Sequence, residues 1–339
     1  MTRTDSVTGM RILMIGGTRF VGRHIVEAAL AVGHEVTVFH RGQTGPDLFP
    51  EVQRFTGDRN GNLTELAEGR WDATIDTCAY VPRHIHSLAD ALGKRAGRYL
   101  LISSVSAYAA PEGAGFREDS PLIELDDPTV EEVTGETYGG LKVLCERAAF
   151  EQFGPASVVV RPTYVVGPDD YIWRFPWWVQ RLAGGGEVLA PGPADAPAQV
   201  IDARDLASWA VGLVERGESG AFHAASPAPP FSFADQLEAV RAAVAPEGTT
   251  LTWVDADFLL AEGIDDGALP LWSGADDSAL IMAADPAAAM ATGLRPRPLA
   301  DTVRDTLSWL RGAEQPDRPG LTPERERDLL RRWHALSAG

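Results

Sequence analysis

Cysteine is scarce: the 339 residues hold two, Cys78 and Cys145, far apart and outside any metal-ligand spacing. No disulfide framework and no metal site is expected, and the composition fits a reducing cytoplasm. Long hydrophobic runs are missing too. No stretch reaches the roughly 18 apolar residues of a membrane-spanning helix, so no membrane partner is expected. Residues 1–9 are polar, lack the apolar core of a signal peptide and read as a flexible tail. Positive charge falls short of negative: 30 Lys and Arg stand against 48 Asp and Glu, for a net charge of -18. Such a balance repels nucleic acid over most of the surface but allows a local basic pocket for a phosphate-bearing ligand. Internal repeats and low-complexity tracts are absent. What is present suits a soluble globular chain: 45% hydrophobic and 23% charged residues. The length accommodates one large or two modest domains with a real core.

Arg11 to Ile15 is a short apolar run and predicts a buried strand. It leads into Gly16-Gly17-Thr18-Arg19-Phe20-Val21-Gly22 and then a helix to about Val32, stopped by Gly33. A second strand follows over 34–39. Strand, glycine turn, helix and strand within about 30 residues match the dinucleotide-binding unit. The turn departs from the usual three glycines, because the middle one falls at Arg19. Gly16 still permits the tight turn, Gly22 lets the helix pack on the strand, and the helix N-terminus can hold a pyrophosphate. Arg19 adds a cation against phosphate. At the end of the second strand stands His40-Arg41-Gly42, where an NAD binder usually carries an acid. Arg41, with Arg19, suits a 2′-phosphate, so NADP is favoured over NAD. The plain alternatives are a generic strand-to-helix turn and an exposed loop charge.

Further strands are predicted over 52–55, 73–76, 98–102 and 157–160, with a short helix over 62–68 and another from Pro82 to about Leu92. The third strand ends in Gly57-Asp58-Arg59, where Asp58 can accept a hydrogen bond from an adenine amino group. His84 and His86 split across their helix and read as ordinary surface or interface histidines. The fifth strand ends in Ser103-Ser104-Val105-Ser106, at the edge where a doubly wound sheet binds ligands. Residues 109–136 form a connection without a clear element.

Tyr138-Gly139-Gly140-Leu141-Lys142 opens a helix to about Phe153. Tyrosine and lysine four apart share one helix face. A neighbouring ammonium favours phenolate, which makes the tyrosine a proton-transfer candidate. The two glycines make poor helix and imply close approach of cofactor or substrate. Beyond Pro168 the aromatic run Tyr171 to Trp178 reads either as packing of a second lobe or as lining for a ring-shaped or apolar substrate. Gly184-Gly185-Gly186 reads as a flexible turn. Strands follow over 199–202, 220–224 and 250–254. Arg204-Asp205 is expected to cap a helix to Val214, Ser232 a helix over 233–244, and amphipathic helices are expected over 299–310 and 323–336.

In this order the glycine turn, Gly57-Asp58-Arg59, Ile102 to Tyr108, Tyr138 to Lys142, Arg161-Pro162-Thr163-Tyr164-Val165-Val166-Gly167-Pro168 and Ile201 to Ala207 resemble the extended short-chain dehydrogenase/reductases, the NAD-dependent epimerase/dehydratase family. The resemblance covers about residues 11–310. It implies an α/β fold: a Rossmann-type doubly wound parallel sheet over 10–168, and a smaller α/β C-terminal substrate-binding lobe over 169–312, with some segments returning to the Rossmann core. A C-terminal helix fills 313–339. It implies Tyr138 as general acid/base and Lys142 as the group that lowers its pKa and binds the nicotinamide ribose. Counting back from Tyr108 places the hydroxyl that holds the substrate oxygen on Ser104. The implied cofactor contacts are Gly16, Thr18, Arg19, Phe20 and Val21; His40, Arg41, Asp58 and Arg59; Thr77, Cys78, Ala79 and Ser103; and Pro162, Thr163 and Val165, besides Tyr138 and Lys142. Substrate contacts are expected from Tyr80, Ser106, Trp173, Arg174, Trp177 and Arg204, and a homodimer through helices 82–92 and 138–153. Arg19 at the central glycine resembles a subgroup with atypical members, among them RNA-associated plastid proteins.

Sugar 4,6-dehydratases carry an Asp-Glu pair directly after the strand-five hydroxyl. Val105 and Ser106 stand there instead, which disfavours dehydration. The expected activity is hydride transfer between NADP or NAD and a secondary alcohol or ketone of a sugar nucleotide or secondary metabolite. A nucleotide-sugar epimerase with bound NAD is the alternative. A non-catalytic NAD(P)-binding regulator or RNA-associated protein is the alternative of another class, opposed by the charge and by the presence of Ser104, Tyr138 and Lys142.

Overall fold

Strands that are apolar along their whole length must be covered on both faces, and helices between parallel strands supply the cover. The computed structural model describes residues 9–226, 231–265, 267–273, 277–314 and 320–337. All but Gly9 of the expected tail lies outside them. The first half runs β1 (Arg11–Ile15), α1 (Phe20–Ala31), β2 (Glu35–His40), β3 (Gln53–Thr56), β4 (Ala73–Asp76), α2 (Pro82–Leu92), β5 (Arg98–Ile102), α3 (Tyr138–Phe153) and β6 (Val158–Pro162). Then come β7 (Tyr164–Val166), α4 (Arg174–Ala183), β8 (Glu187–Pro191), β9 (Val200–Asp202), α5 (Ala203–Arg216) and β10 (Gly220–Ala224). The chain continues through α6 (Phe233–Val244), β11 (Thr250–Val254), α7 (Ala256–Ala261), α8 (Ala287–Ala291), α9 (Leu299–Leu310) and α10 (Pro323–Ser337).

Seven parallel strands form one sheet in the order β10-β6-β5-β4-β1-β2-β3. Period-two alternation divides each strand between two layers. Ile12 and Met14 of β1 pack with Ile25 and Val26 of α1 and Leu206 and Leu213 of α5. Leu13 and Ile15 pack with Ile85 and Leu88 of α2 and Cys145 and Ala149 of α3. Strand order reverses at β1, so a crevice opens at its C-terminal end, where such sheets bind ligands.

The second half has its own core around α4, β8, α6 and β11, with β8 paired to β11 and β7 to β9. Among its elements, α4 and β8 were not foreseen. Phe175, Trp178, Val179 and Leu182 make a helical stripe on α4, which Pro176 tolerates because it sits in the first turn. β8 follows directly after Gly184-Gly185-Gly186. Ser232 caps α6 as expected, in a reciprocal pair with Asp235. α5 is capped by Asp202, which accepts from Arg204 N at 2.9 Å, and not by the expected Arg204-Asp205.

Candidate active site

The C-terminal ends of β1, β2, β4, β5 and β6 open onto one cleft of about 510 Å³. The glycine turn forms one end. Gly16 and Gly17 sit at φ 103° and 94°, where only glycine is unstrained. A Cβ on Gly22 would lie 2.8 Å from Gly17 N, so the close turn depends on its absence. Thr18, Arg19, Phe20 and Val21 complete this wall. His40, Arg41, Asp58, Arg59, Thr77, Cys78, Ser103, Tyr138, Pro162, Thr163 and Val165 continue along it. These walls fit a dinucleotide: glycine backbone for phosphates at one end, hydroxyls at the other, and a Thr163 Oγ1 buried without a partner.

Ser104 lies two residues beyond the end of β5 and caps a short 3₁₀ turn over Val105–Ala107. Its Oγ accepts from Ser106 N at 3.1 Å and donates to Ser106 Oγ at 3.0 Å. Ser106 therefore faces Ser104 and is off the cleft wall, contrary to its expected substrate contact. Tyr138 is half-buried at the start of α3, on the same wall as Ser104. Lys142, one turn on, is 3% exposed and lies beneath the wall. Its ammonium gives two of its three protons to Ala79 O (2.9 Å) and Ile102 O (2.8 Å). Ala79 is fully buried, and its carbonyl meets Lys142 instead of the cleft. Gly139 and Gly140 do not serve an approaching cofactor. A Cβ on Gly139 would lie 2.1 Å from Ser106 O, and one on Gly140 2.4 Å from Leu125 Cγ. Their absence lets α3 close onto the Ser104 turn and the covering 121–125 segment.

Two buried networks support this wall, and neither was foreseen, because their members are far apart in the chain. Ser103 Oγ donates to Glu146, which pairs with Arg161 at 2.6 Å. Arg161 also donates to Tyr108 Oη, Tyr108 Oη donates to His223 Nε2 at 2.6 Å, and His223 Nδ1 donates to Asp285 O at 2.9 Å. Burial lowers the His223 pKa, in keeping with this neutral tautomer. In the second network Arg59 holds Asp76 in a two-pronged pair, both bonds 2.9 Å. Burial alone would raise the Asp76 pKa, but the charge and hydrogen bonds of Arg59 keep it low. The charge of Arg59 is thus matched by a buried carboxylate and is not free for phosphate. Cys78 is a neutral thiol, its pKa pushed by burial to about 11.

Beside Asp58, Asn60 and His84 are wall residues that the sequence reading missed. His84 is 9% exposed, not an ordinary surface histidine. It accepts from Tyr80 N through Nδ1 (3.2 Å) and donates to Asn60 Oδ1 through Nε2 (2.9 Å). Burial and Arg59 lower its pKa to about 4, so it is neutral. Asn60 in turn gives N and Nδ2 to Asp58 Oδ1.

Of the expected substrate contacts, Tyr80 stands on the wall. Burial and the neighbouring Tyr138 and Tyr171 raise its pKa to about 12, so it stays a phenol. Trp173 and Trp177 belong to the second core, Trp173 tilted against Trp309 and Trp177 edge-to-face with Trp178. From the aromatic run it is Tyr171 and Ile172 that reach the cleft. Arg174 lies over the Tyr164 ring, off the wall. Arg204 is spent on Asp202 (2.7 Å) and Asp305 (2.6 Å), also off the wall. α2 and α3 pack on each other, and exposure on α3 is limited to Arg147, Glu151 and Gln152. Among the described residues no His, Cys, Asp and Glu cluster could hold a metal ion, and no helix is long and apolar enough to cross a membrane.

Residues 12–224 match the model of the NAD dependent epimerase/dehydratase family, and the chain belongs to that family. The chain is 24% identical over 214 residues to the chloroplast stem-loop binding protein of 41 kDa b of Arabidopsis thaliana, covering 58% of this chain and 53% of that one. It is 28% identical over 183 residues to sterol-4-alpha-carboxylate 3-dehydrogenase, decarboxylating, of Bos taurus, covering 49% of each. It therefore spans about half the length of these curated relatives. The fold of UDP-glucuronic acid 4-epimerase from Bacillus cereus, solved in complex with NAD, superposes with a TM-score of 0.64 at 15% identity, over 89% of this chain and 99% of that one.

Proposed function

We propose that this protein is a cytoplasmic NAD(P)-dependent oxidoreductase that moves a hydride between nicotinamide and a secondary alcohol or ketone. The observation that carries the reading is that Ser104 and Tyr138 share one cleft wall with the glycine turn and the Asp58 edge. The glycine turn holds the phosphates, Asp58 the adenine, and Pro162, Thr163 and Val165 the nicotinamide end. When bound, the nicotinamide supplies or takes the hydride. Ser104 Oγ holds the substrate oxygen, and Tyr138 Oη gives or receives the proton at that oxygen. Lys142 keeps a fixed positive charge under this pair through the Ala79 and Ile102 carbonyls.

NADP is the preferred cofactor in this reading. Arg41 stands where a ribose-binding acid would be, and His40 already accepts Gly42 N on Nδ1 at 2.9 Å, leaving Nε2 as its free nitrogen. The substrate is a sugar nucleotide or a secondary metabolite. The half-exposed Tyr80, Tyr171 and Ile172 at the cleft favour one with an apolar ring. No carboxylate follows Ser104, and Val105 is buried, which argues against dehydration. The chain works as a homodimer, read out by its mass in solution.

The test has two arms. NADPH titration should show binding, tighter than NADH, and Arg41→Ala should narrow the difference. With the best substrate from a carbonyl panel, Tyr138→Phe should lower turnover by about 100-fold or more, well beyond any change in NADPH affinity. A protein that retains NAD through purification, turns over no added NADPH and interconverts sugar epimers would overturn the oxidoreductase in favour of the epimerase.

A further inference from the structure

Arg19 occupies the place of the missing middle glycine, and its guanidinium carbon lies over the Tyr171 ring, 3.2 Å from the ring centroid. The ring contact takes no hydrogen bond from the group. Its five N–H donors lie in the guanidinium plane and stay available to phosphate oxygens. Among the described residues no carboxylate or carbonyl takes them.

Tyr171 is itself held in place. Asp169, two residues before it, pairs with Arg23 of α1 at 2.7 Å, and Pro168 O bonds His24 Nε2 at 3.1 Å. Phe20 meets the Tyr171 ring edge-on, with centroids 6.4 Å apart. Phe20, Asp169 and Trp173 adopt φ of 40°, 66° and 66°, a region that such residues rarely enter. Strain of this kind persists only where surrounding contacts impose it, and it gathers at ligand clamps. Tyr171 and Ile172 are nonetheless 44% and 48% exposed, and both face the cleft.

We infer that Arg19 and Tyr171 form a clamp for the 5′-pyrophosphate of the bound dinucleotide. The guanidinium edge takes phosphate oxygens from the side opposite the glycine backbone. Tyr171 is a positioning residue: its ring keeps the guanidinium over the cleft. The 168–172 segment then links phosphate binding to the start of α4. This rests on the dinucleotide reading above and extends it to a residue from outside the glycine-turn half.

Calorimetric titration of the full chain with ADP and with adenosine tests it. Wild type should bind ADP more tightly than adenosine. Arg19→Ala should weaken ADP by about 10-fold or more and leave adenosine unchanged. Tyr171→Ala should weaken ADP by about 2- to 5-fold, as expected for loss of an exposed cation–π contact. Tyr171→Phe should match wild type, because the ring face remains. In the Arg19→Ala background, Tyr171→Ala should have no further effect. The clamp is overturned if Tyr171→Ala weakens adenosine and ADP alike, or if its effect adds fully to that of Arg19→Ala. Wild type that binds neither ADP nor NADPH would defeat the dinucleotide reading itself. Wild type that binds both, with Arg19→Ala indifferent to the phosphates, would defeat the clamp alone. Melting temperatures without ligand separate any folding defect from these outcomes.

Discussion

Gly139→Ala and Gly140→Ala differ by one position and should behave differently. Each gains roughly 1 kcal/mol of helix propensity. The new methyl at 140 meets the side chain of Leu125, which can turn away for about 0.5–1.5 kcal/mol. The two terms nearly cancel, so Gly140→Ala should match wild type in a urea melt. The methyl at 139 instead meets Ser106 O at 2.1 Å and Ser106 C at 3.1 Å, both backbone. Relief requires the 104–107 turn and α3 to part by roughly 1 Å, a displacement large enough to cost about 100-fold in turnover. Overpacking of this kind costs about 1–3 kcal/mol, so a net loss of up to about 2 kcal/mol is expected after the propensity gain. The turn that moves carries Ser104, and the helix that moves carries Tyr138. Turnover should therefore fall, while affinity for ADP, held at the other end of the cleft, stays unchanged. Urea midpoints, ADP titration and initial rates read all three. A Gly139→Ala protein with the stability and rate of Gly140→Ala would refute the reasoning.

Three further outcomes follow from buried groups. Burial raises the Asp170 carboxyl to about 6 from 3.8, so the native state holds this proton more tightly than the unfolded chain. Stability from this group is therefore lost as pH rises from about 4 to 6, by up to about 3 kcal/mol; Asp170→Asn should flatten that slope in urea midpoints, and parallel pH profiles would refute it. Glu146→Gln leaves the Arg161 guanidinium without its buried counter-charge and should cost about 3–5 kcal/mol in a urea melt; a loss under about 1 kcal/mol would show that the pair is not held as described. Trp177→Ala should cost about 3–5 kcal/mol as a core truncation and leave ADP affinity unchanged; the opposite pattern would return Trp177 to the cleft.

Much of the fold was legible because its signals are local. β1 is apolar along its length, Pro82 opens α2, Ser232 and Asp235 cap α6, and α3 spans the expected Tyr138–Phe153. α4 escaped notice because Pro176 and three tryptophans obscured its stripe of Phe175, Trp178, Val179 and Leu182. The glycines at 139 and 140 announced a close approach, but nothing local says whether the neighbour is a ligand or the chain itself. Ser106 lies within two residues of Ser104 and still turns away from the cleft, because the 3₁₀ turn aims it at the Ser104 hydroxyl.

By itself the sequence determined a parallel α/β sheet with its glycine turn at the end of β1, because periodicity, caps and glycine spacing act over a few residues. It likewise determined that Ser104 and Tyr138 belong near that sheet's C-terminal edge. The tertiary structure alone decided which rings and which arginines face the cleft. Tyr171 does and Trp173 does not, because left-handed backbone at Asp169 and Trp173 turns the segment between them. Arg59 is neutralised by Asp76 of another strand, and Arg204 by its neighbour Asp202 together with Asp305 from about 100 residues on. Arg19 keeps its donors free because its neighbour is a ring and not a carboxylate. Charge pairing and side-chain direction depend on what the fold places within a few ångströms, and sequence separation does not report that distance.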